Sequence, residues 1–416
     1  MANIIFRHEF EAENLLEQMQ LDARFDVMDN DEALIPDLSF IKQNIKSKKS
    51  APKVPKLFLS NDCIFNCAYC GCRSGADCQK RYRISPQKLA ELSIQQARES
   101  GRGIFITSAI YKNADYTEEL IIETMKILRC HMGYQGYIHA KIMPGTDPAL
   151  IHEAGRYANR LSVNIEVAKS EGYRQIAKNK NKSNILLPMA QISNQIQAAA
   201  LQRSRFSPPF ATSQTTQLMV GSTQEDDYTI LNLSGALYQK FALSRVYYTP
   251  FCLEHQAAGY DALPSVHTPN WRVRRLYQAD RLMQLYGFTA QEIAPENSRY
   301  LPEDIDPKAA WALRNLHLFP IEVNTADRQT LLRIPGIGTV YADRILAARK
   351  YTSITHDTLR EIGVSLKRCQ PFITCNGKFK GAATGDKPST LRRLLSDQSA
   401  RRPAQLTEAW QFGSDF

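Results

Sequence analysis

Cys63, Cys67 and Cys70 lie in the run NDCIFNCAYCGC, with three residues between the first pair and two between the second. Three thiolates so spaced can hold three irons of a [4Fe–4S] cluster and leave the fourth iron open to an outside ligand. Electron-transfer ferredoxins close the cluster with a fourth cysteine, so an open iron is a place for chemistry on a bound molecule. Zinc and a set of buried thiols are the other readings, although zinc sites usually pair two CxxC units. Cys72 and Cys78 follow within CGCRSGADC, but two thiols cannot complete a second cubane, and Cys130, Cys252, Cys369 and Cys375 are scattered.

Regular structure must hold such a loop. The stretch LFLS, 57–60, reads as a short buried strand with the cysteines at its C-terminal end, where β/α barrels place their active sites. Ser85 followed by Pro86 opens a helix to about Glu99. Further strands are expected at 103–107, 136–143, 161–167, 215–220 and 245–251. Between them the pattern predicts helices from Tyr116 to His131, Asp147 to Asn159, Ser170 to Lys178 and Ala190 to Arg203. Thr223, with Asp226 three residues on, reads as a capping box for a helix reaching Lys240. Six strand–helix units predict the α/β class and a partial (β/α)6 TIM-like barrel over 57–251, after an N-terminal helical and basic segment, 1–56.

Composition sets the outer bounds. A chain of 416 residues with 43% hydrophobic content has room for two or three domains and a sizeable core. No run approaches the roughly 18 apolar residues of a membrane span. The start MANIIFRHEF lacks the long apolar region of a secretory signal. Nine cysteines, with three at cluster spacing, suit a reducing compartment, so a cytoplasmic location is expected.

The net charge of +10, from 52 basic against 42 acidic residues, is patchy. Lys42, Lys46, Lys48, Lys49, Lys53 and Lys56 occur with no carboxylate between Asp37 and Asp62; Lys178, Lys180 and Lys182 form a second cluster, and 378–402 a third. Such patches could neutralise phosphates, or be solvated segments; together they favour a polyanionic partner.

The segment 323–350 has a helix start at Asn324-Thr325, a helix to Arg333, a Pro-Gly-Ile-Gly turn and a second helix from Thr339. It resembles a helix-hairpin-helix motif, giving a C-terminal all-α domain over 321–375. Gly336 and Gly338 permit a tight turn between Ile334 and Ile337, and N–H groups at the following helix start can receive a phosphate. Arg344, Arg349 and Lys350 add cationic reach, and 359–373 could form a second, weaker hairpin around Gly363. Contacts of this kind give affinity and register rather than sequence choice. A helical hairpin for protein contact is the other reading. Residues 252–320 read as a helical connector, with helices at 272–286 and 307–316 and packing aromatics Trp271, Tyr277, Tyr286, Phe288 and Trp311. Residues 376–416 read as a flexible basic tail.

Thiol spacing and six-fold alternation together resemble the radical SAM superfamily. The resemblance implies S-adenosylmethionine chelating the open iron, and a reduced cluster that donates an electron into the sulfonium to release a 5′-deoxyadenosyl radical. It also implies an electron donor such as flavodoxin or ferredoxin. Tyr69 matches the aromatic near the adenine. Thr107 and Ser108, where the superfamily's Gly-Gly-Glu would stand, match the loop that takes the methionine ammonium, although a Ser/Thr pair there also suits a helix N-cap. Asn164 and Glu166 alternate with Val163 and Ile165 on the fourth strand; facing inward they would meet a ribose or the sulfonium end, facing outward they would be surface. Lys141 is a candidate for holding a carboxylate or phosphate, or a solvated rim lysine. Met219 and Gly221, at the end of the fifth strand, match adenine contacts, with core packing as the other account of Met219.

A narrower resemblance runs from about residue 50 to 375. The runs LFLSNDCIFNCAYC, FITSAIYKNADYTEE, GYIHAKIMPG, RLSVNIE, LMVGSTQEDDYTIL, ALYQKFALSRVYYTPF, RLYQADRLMQLYGF, ALRNLHLFPIEVNTAD and RIPGIG resemble the bacterial DNA modification/repair radical SAM protein family. Members are typically encoded beside a uracil-DNA-glycosylase-like protein, so the resemblance implies such a partner and a DNA substrate; the charge pattern equally permits RNA. The family commonly has Asn where this chain has Cys72.

Overall fold

The computed structural model describes residues 15–16, 18–19, 22, 54–76, 81–202, 210–251, 268–381 and 388–396. Lys42 to Lys53, Cys78, Cys252 and most of the basic tail lie outside the described residues. The chain divides into two compact units, Met1–Glu225 with Ala236–Val273, and Asp226–Gly235 with Arg274–Phe416.

In the first unit, β1 (Lys56–Phe58), β2 (Ile104–Thr107), β3 (Ile138–Lys141), β4 (Arg160–Ser162), β5 (Ser213–Val220) and β6 (Arg245–Pro250) form one sheet whose order follows the chain. Every neighbouring pair is parallel. Successive right-handed crossovers in one direction put all the connecting helices on one face and leave the other uncovered by them.

Local chemistry starts those helices. Ser85 caps α1 (Pro86–Ser100) by accepting the Lys88 N–H, and Pro86 takes the first position, where a missing donor costs nothing. Asn113 caps α2 (Ala114–Lys126), and Asp147 caps α3 (Pro148–Tyr157). Next come α4 (Ser170–Ile176) and α5 (Lys182–Leu201). Helix α2 packs on α1 and α3, and α3 on α5.

The register sorts the strand side chains into two rows. Leu57 pairs with Ile106, Ala140 with Leu161, and Leu161 with Gln214, whose side-chain amide donates to Met189 O on α5 and to Phe241 O. This is the helix-covered, mostly apolar face. Phe58 pairs with Thr107, Lys141 with Ser162, and Ser162 with Thr215, so the opposite row is largely polar. A sheet with one apolar and one polar face, both largely buried, has its core under the helices and its polar groups on the other side.

Three expectations need correction. Regular pairing of β4 ends at Ser162 rather than running to 167, because Glu166 adopts φ 61 and only bridges Leu218. Helix α5 starts at Lys182, not Ala190: Asn181 and Asn184 form a reciprocal cap that the Ser/Thr–Glu signature does not describe, and Pro188 sits inside the helix. The helix α6 (Asp227–Phe241) is capped by Asp226, which accepts the Thr229 N–H, while Thr223 Oγ1 makes no hydrogen bond. The α2 helix ends in a π-turn, Ile127–His131.

The second unit carries most of α7 (Asn270–Tyr286), then α8 (Ala290–Ile293), α9 (Pro307–Arg314), α10 (Arg328–Arg333), α11 (Thr339–Ala348), α12 (His356–Glu361) and α13 (Leu366–Cys369), with a small sheet of β7 (Ile321–Glu322), β8 (Ile373–Cys375) and β9 (Lys378–Phe379). Trp311 stacks edge-on against Phe288 and Phe319. The stretch read as a flexible tail instead contains α14 (Pro388–Leu395), where Leu391 and Leu395 are buried and Arg392 pairs with Asp304 at 2.7 Å. Its apolar repeat is two turns long, too short to stand out among basic residues. No helix among the described residues is long and apolar enough to cross a membrane.

Candidate functional site

The cysteine loop leaves β1 and is tied down from three sides. The Ala109 N–H donates to Ser60 O and the Ile64 N–H to Ile110 O, so the chain after β2 runs alongside it. The guanidinium of Arg81 donates to the carbonyls of Asn61, Cys72, Arg73 and Ala76. On the far side, Ala68 N–H donates to Ile176 O at 2.8 Å and Asn66 N–H to Asn179 Oδ1 at 3.0 Å.

Burial shapes the thiols. It raises Cys63 and pushes Cys67 up to about 12, while Cys70 is lowered, chiefly by a hydrogen bond from Cys72. Cys72 is correspondingly raised, by that bond and by burial. Cys63, Cys67 and Cys70 sense one another's charge, as three sulfurs around a common space do. Cys63 Sγ also accepts the Phe65 N–H at 3.4 Å. Among the described residues no three His, Cys, Asp or Glu side chains are close enough to share one metal ion. A cubane, whose irons each take one thiolate, asks for a wider set.

Glu166 is the centre of the neighbouring surface. Its side chain is 3% exposed; Oε1 accepts Lys180 Nζ at 2.8 Å, and Oε2 makes no hydrogen bond within the protein. Lys180 Nζ also donates to the Tyr69 hydroxyl at 3.0 Å. Burial raises Tyr69 well above the usual phenol range, with Glu166 adding to it; burial works against the charge of Lys180, but Glu166 together with Cys67 and Cys70 more than offsets it, so Lys180 stays protonated. The reading of Lys178, Lys180 and Lys182 as one cluster, whether phosphate-neutralising or solvated, is corrected for Lys180: its neighbours are exposed, but it is turned inward. Asn164 and Glu166 are both buried, so neither is ordinary surface.

The polar row of the sheet holds further buried atoms without a hydrogen bond in the protein: Thr107 Oγ1, His139 Nδ1, Thr215 Oγ1 and Thr249 Oγ1. A buried polar atom left so costs about 1–3 kcal/mol, and these four on one row, with Glu166 Oε2 past the end of β4, mark where a ligand or ordered water belongs. Thr107 and Ser108 are not helix caps, since α2 is capped by Asn113; Ser108 Oγ instead donates to Ala109 O. Lys141, half-buried at the end of β3, lies near enough to lower Cys70. Met219 is buried and its N–H donates to Glu166 O at 2.8 Å. Gly221 takes φ 80, and a Cβ there would run into Thr268 Oγ1.

Arg81, Lys180 and Asn179 went unread as site residues. Arg81 sits in a polar stretch with no periodicity, and KNKNK looks like a solvated run; only long-range contacts single them out.

In the second unit, α10 and α11 form a hairpin. Gly336 has φ 85, and Ile334 and Ile337 are buried. Gly338 is the N-cap of α11, with no side-chain cap, and Thr339 begins the helix. The turn is held from beneath: Lys308 Nζ donates to Ile337 O, and the Tyr286 hydroxyl stands 3.1 Å from where a Cβ of Gly338 would lie. The stretch after α12 repeats the pattern, with Gly363 at φ 93, Val364 buried and Ser365 as an N-cap without a side-chain bond. Arg344 links the two by donating to Ile362 O at 3.0 Å. Arg349 donates to Val323 O and Ala326 O, so it braces the hairpin rather than reaching outward, whereas Lys350 is exposed.

No family model and no curated protein matches this chain. Solved structures similar to parts of it include two of a hydrogenase maturase and one of a synthase. The FeFe-hydrogenase maturase HydG from Carboxydothermus hydrogenoformans is 18% identical with a TM-score of 0.43, over 65% of this chain and 63% of that one. A second structure of HydG, a maturase of the [FeFe]-hydrogenase, is 12% identical at 0.40, over 66% and 62%. Methylornithine synthase (PylB) is 15% identical at 0.41, over 55% and 61%. The chain thus spans less than two thirds of the length of each of these three structures.

Proposed function

We propose that this chain is a radical SAM enzyme that modifies or repairs a base in nucleic acid, most simply DNA. The observation that carries the reading is the three-cysteine loop at the C-terminal end of β1, on a sheet whose polar row holds buried atoms that find no partner in the protein. The donor set fits a cubane: three thiols, two of them with raised affinity for their protons, must give those protons up to iron. Bound there, the cluster supplies an electron and S-adenosylmethionine the 5′-deoxyadenosyl group that attacks a substrate C–H bond or base.

The chain's own residues then have distinct tasks. Cys63, Cys67 and Cys70 hold iron. Glu166 offers Oε2 to a hydroxyl or ammonium donor, and Thr107, two strands away on β2, offers a hydroxyl on the polar row. Lys141 brings positive charge for the methionine carboxylate, and Met219 and Gly221 present apolar and backbone surface to the adenine. Tyr69 would be the aromatic near the adenine. A paired base would have to leave its duplex to reach residues of this kind, so single strands or lesions are favoured.

The nucleic-acid reading rests on the two hairpins and on the net charge of +10. A phosphate at the α11 N-terminus would meet the Gly338 and Thr339 backbone and the Tyr286 hydroxyl, while Lys350, past the other end of α11, would add charge further along the backbone. A uracil-DNA-glycosylase-like protein as partner, flavodoxin or ferredoxin as electron donor, and a cytoplasmic setting complete the proposal.

Anaerobic incubation of the reconstituted chain with S-adenosylmethionine and reductant tests it. DNA should raise the yield of 5′-deoxyadenosine above that without nucleic acid. A yield raised by RNA alone moves the substrate to RNA; no cleavage of the cofactor at all defeats the enzyme reading.

A further inference from the structure

Residues 176–180 touch the cysteine loop at three successive points. Ile176 O receives the Ala68 N–H, Asn179 Oδ1 receives the Asn66 N–H, and Lys180 Nζ donates to the Tyr69 hydroxyl. Residues 66, 68 and 69 are the stretch between the first cysteine and the third, so the backbone that spaces the thiols rests on this short segment. The same Lys180 reaches Glu166 Oε1, across on the strand-four side. One side chain, 11% exposed, therefore joins the thiol loop to the carboxylate beside it.

We infer that Lys180 is a positioning residue of the proposed site: it fixes the Glu166 carboxylate with one oxygen committed and the other presented to the cofactor, and it places a buried positive charge beside the cluster thiolates. This rests on the radical SAM reading and extends it to a residue outside the cysteine motif.

Two physical consequences follow. A carboxylate with both oxygens free can rotate and solvate; with Oε1 tied at 2.8 Å, Oε2 has a set direction, and Glu166 is further held by its backbone bonds to Gln217 and Met219. A cation in a poorly solvated place also favours the more negative state of any group beside it. A cluster ligated by three thiolates gains a negative charge on reduction, so Lys180 eases that step. Lys180 acts at each of Cys63, Cys67 and Cys70.

The test uses the full chain, reconstituted anaerobically, with Lys180→Met, Lys180→Arg and Tyr69→Phe variants. The cluster's midpoint potential is followed by electron paramagnetic resonance during redox titration, and S-adenosylmethionine binding by equilibrium dialysis. Lys180→Met should move the potential to more negative values and weaken cofactor binding about tenfold. Tyr69→Phe removes a hydrogen bond but no charge, so its potential should stay with the wild type. Lys180→Arg should keep the wild-type potential. If Lys180→Met takes up no iron, Lys180→Arg carries the comparison, and its failure to restore a cluster overturns the inference. An unchanged potential and affinity in Lys180→Met, or a shift in Tyr69→Phe as large as that of Lys180→Met, also overturns it. A wild-type chain that binds no cluster defeats the functional reading itself, which is a different result.

Discussion

Glu166 and Met219 are joined through the backbone: the Met219 N–H donates to Glu166 O at 2.8 Å, just after the Glu166 N–H donates to Gln217 O at 2.9 Å. These bonds hold a non-glycine residue at φ 61, a conformation costing about 1–3 kcal/mol that persists only where surroundings enforce it. The enforced turn aims the carboxylate at Lys180 rather than letting the strand continue.

Replacing Glu166 with Gln should accordingly cost more than a surface change. It leaves the Lys180 ammonium without its counter-charge in a largely buried place, a loss on the order of 3 kcal/mol. Urea denaturation measures it, and the double variant Glu166→Gln with Lys180→Met should recover most of the loss. A double variant less stable than either single one would show that the pair is not the unit.

Cys72 separates three ligands from four. Cys63→Ser, Cys67→Ser or Cys70→Ser should each abolish the visible absorption of a reconstituted cluster, because each removes one of the three thiolates proposed to hold iron. Cys72→Ala should keep the cluster, since Cys72 acts on Cys70 by a hydrogen bond; removing it should make the cluster harder to reduce, as a thiolate that loses a donor bond holds more charge. Loss of iron from Cys72→Ala, measured as iron per chain, would make it a fourth ligand and close the open corner.

The six strands were legible because each is a short apolar run bounded by turn residues, and the thiol spacing needs no fold to be seen. Glu166 was legible as a residue sharing a face with Asn164, but not its left-handed turn, which depends on pairing with β5 some 50 residues away. Lys180 and Arg81 were not legible at all. Each is a cation in a polar stretch, and what distinguishes it is the set of carbonyls, hydroxyl or carboxylate that the tertiary fold brings to it. Helix α5 was half read because an Asn–Asn cap and an internal Pro188 hide its first two turns.

The hairpin allows fold and binding to be told apart. Gly336→Ala puts a Cβ at φ 85 and 2.9 Å from Arg368 Cβ, so it should destabilise the second unit by about 1–3 kcal/mol. Lys350→Ala should leave stability within about 0.5 kcal/mol, weaken DNA binding and lower the slope of log affinity against log salt by about one. Arg344→Ala should affect both, because the Arg344 guanidinium also holds Ile362 O. Fluorescence anisotropy at several salt concentrations, beside thermal unfolding, reads the two effects separately. A Lys350→Ala variant with an unchanged salt slope would remove that residue from the interface.

Glu118 predicts how stability depends on pH. Its carboxyl is fully buried on α2, accepts the Met143 N–H at 3.1 Å through Oε2, and leaves Oε1 without a hydrogen bond. Burial pushes it up to about 8 from an ordinary 4.5, with Asp115 adding to the rise and the Met143 N–H opposing it. Between those two values the folded chain keeps a proton that the unfolded chain releases. The stability tied to this group is therefore complete below about pH 4.5 and declines as pH rises through about 8, where a charge must be buried. Glu118→Gln removes the ionisation but keeps an acceptor for Met143. Near pH 5 the variant should match or fall slightly below the wild type, and at pH 9 it should exceed it by an amount on the order of a few kcal/mol. Urea midpoints taken from pH 5 to 9 settle the matter: parallel curves for the two proteins would mean that Glu118 ionises freely and is not held neutral by its surroundings.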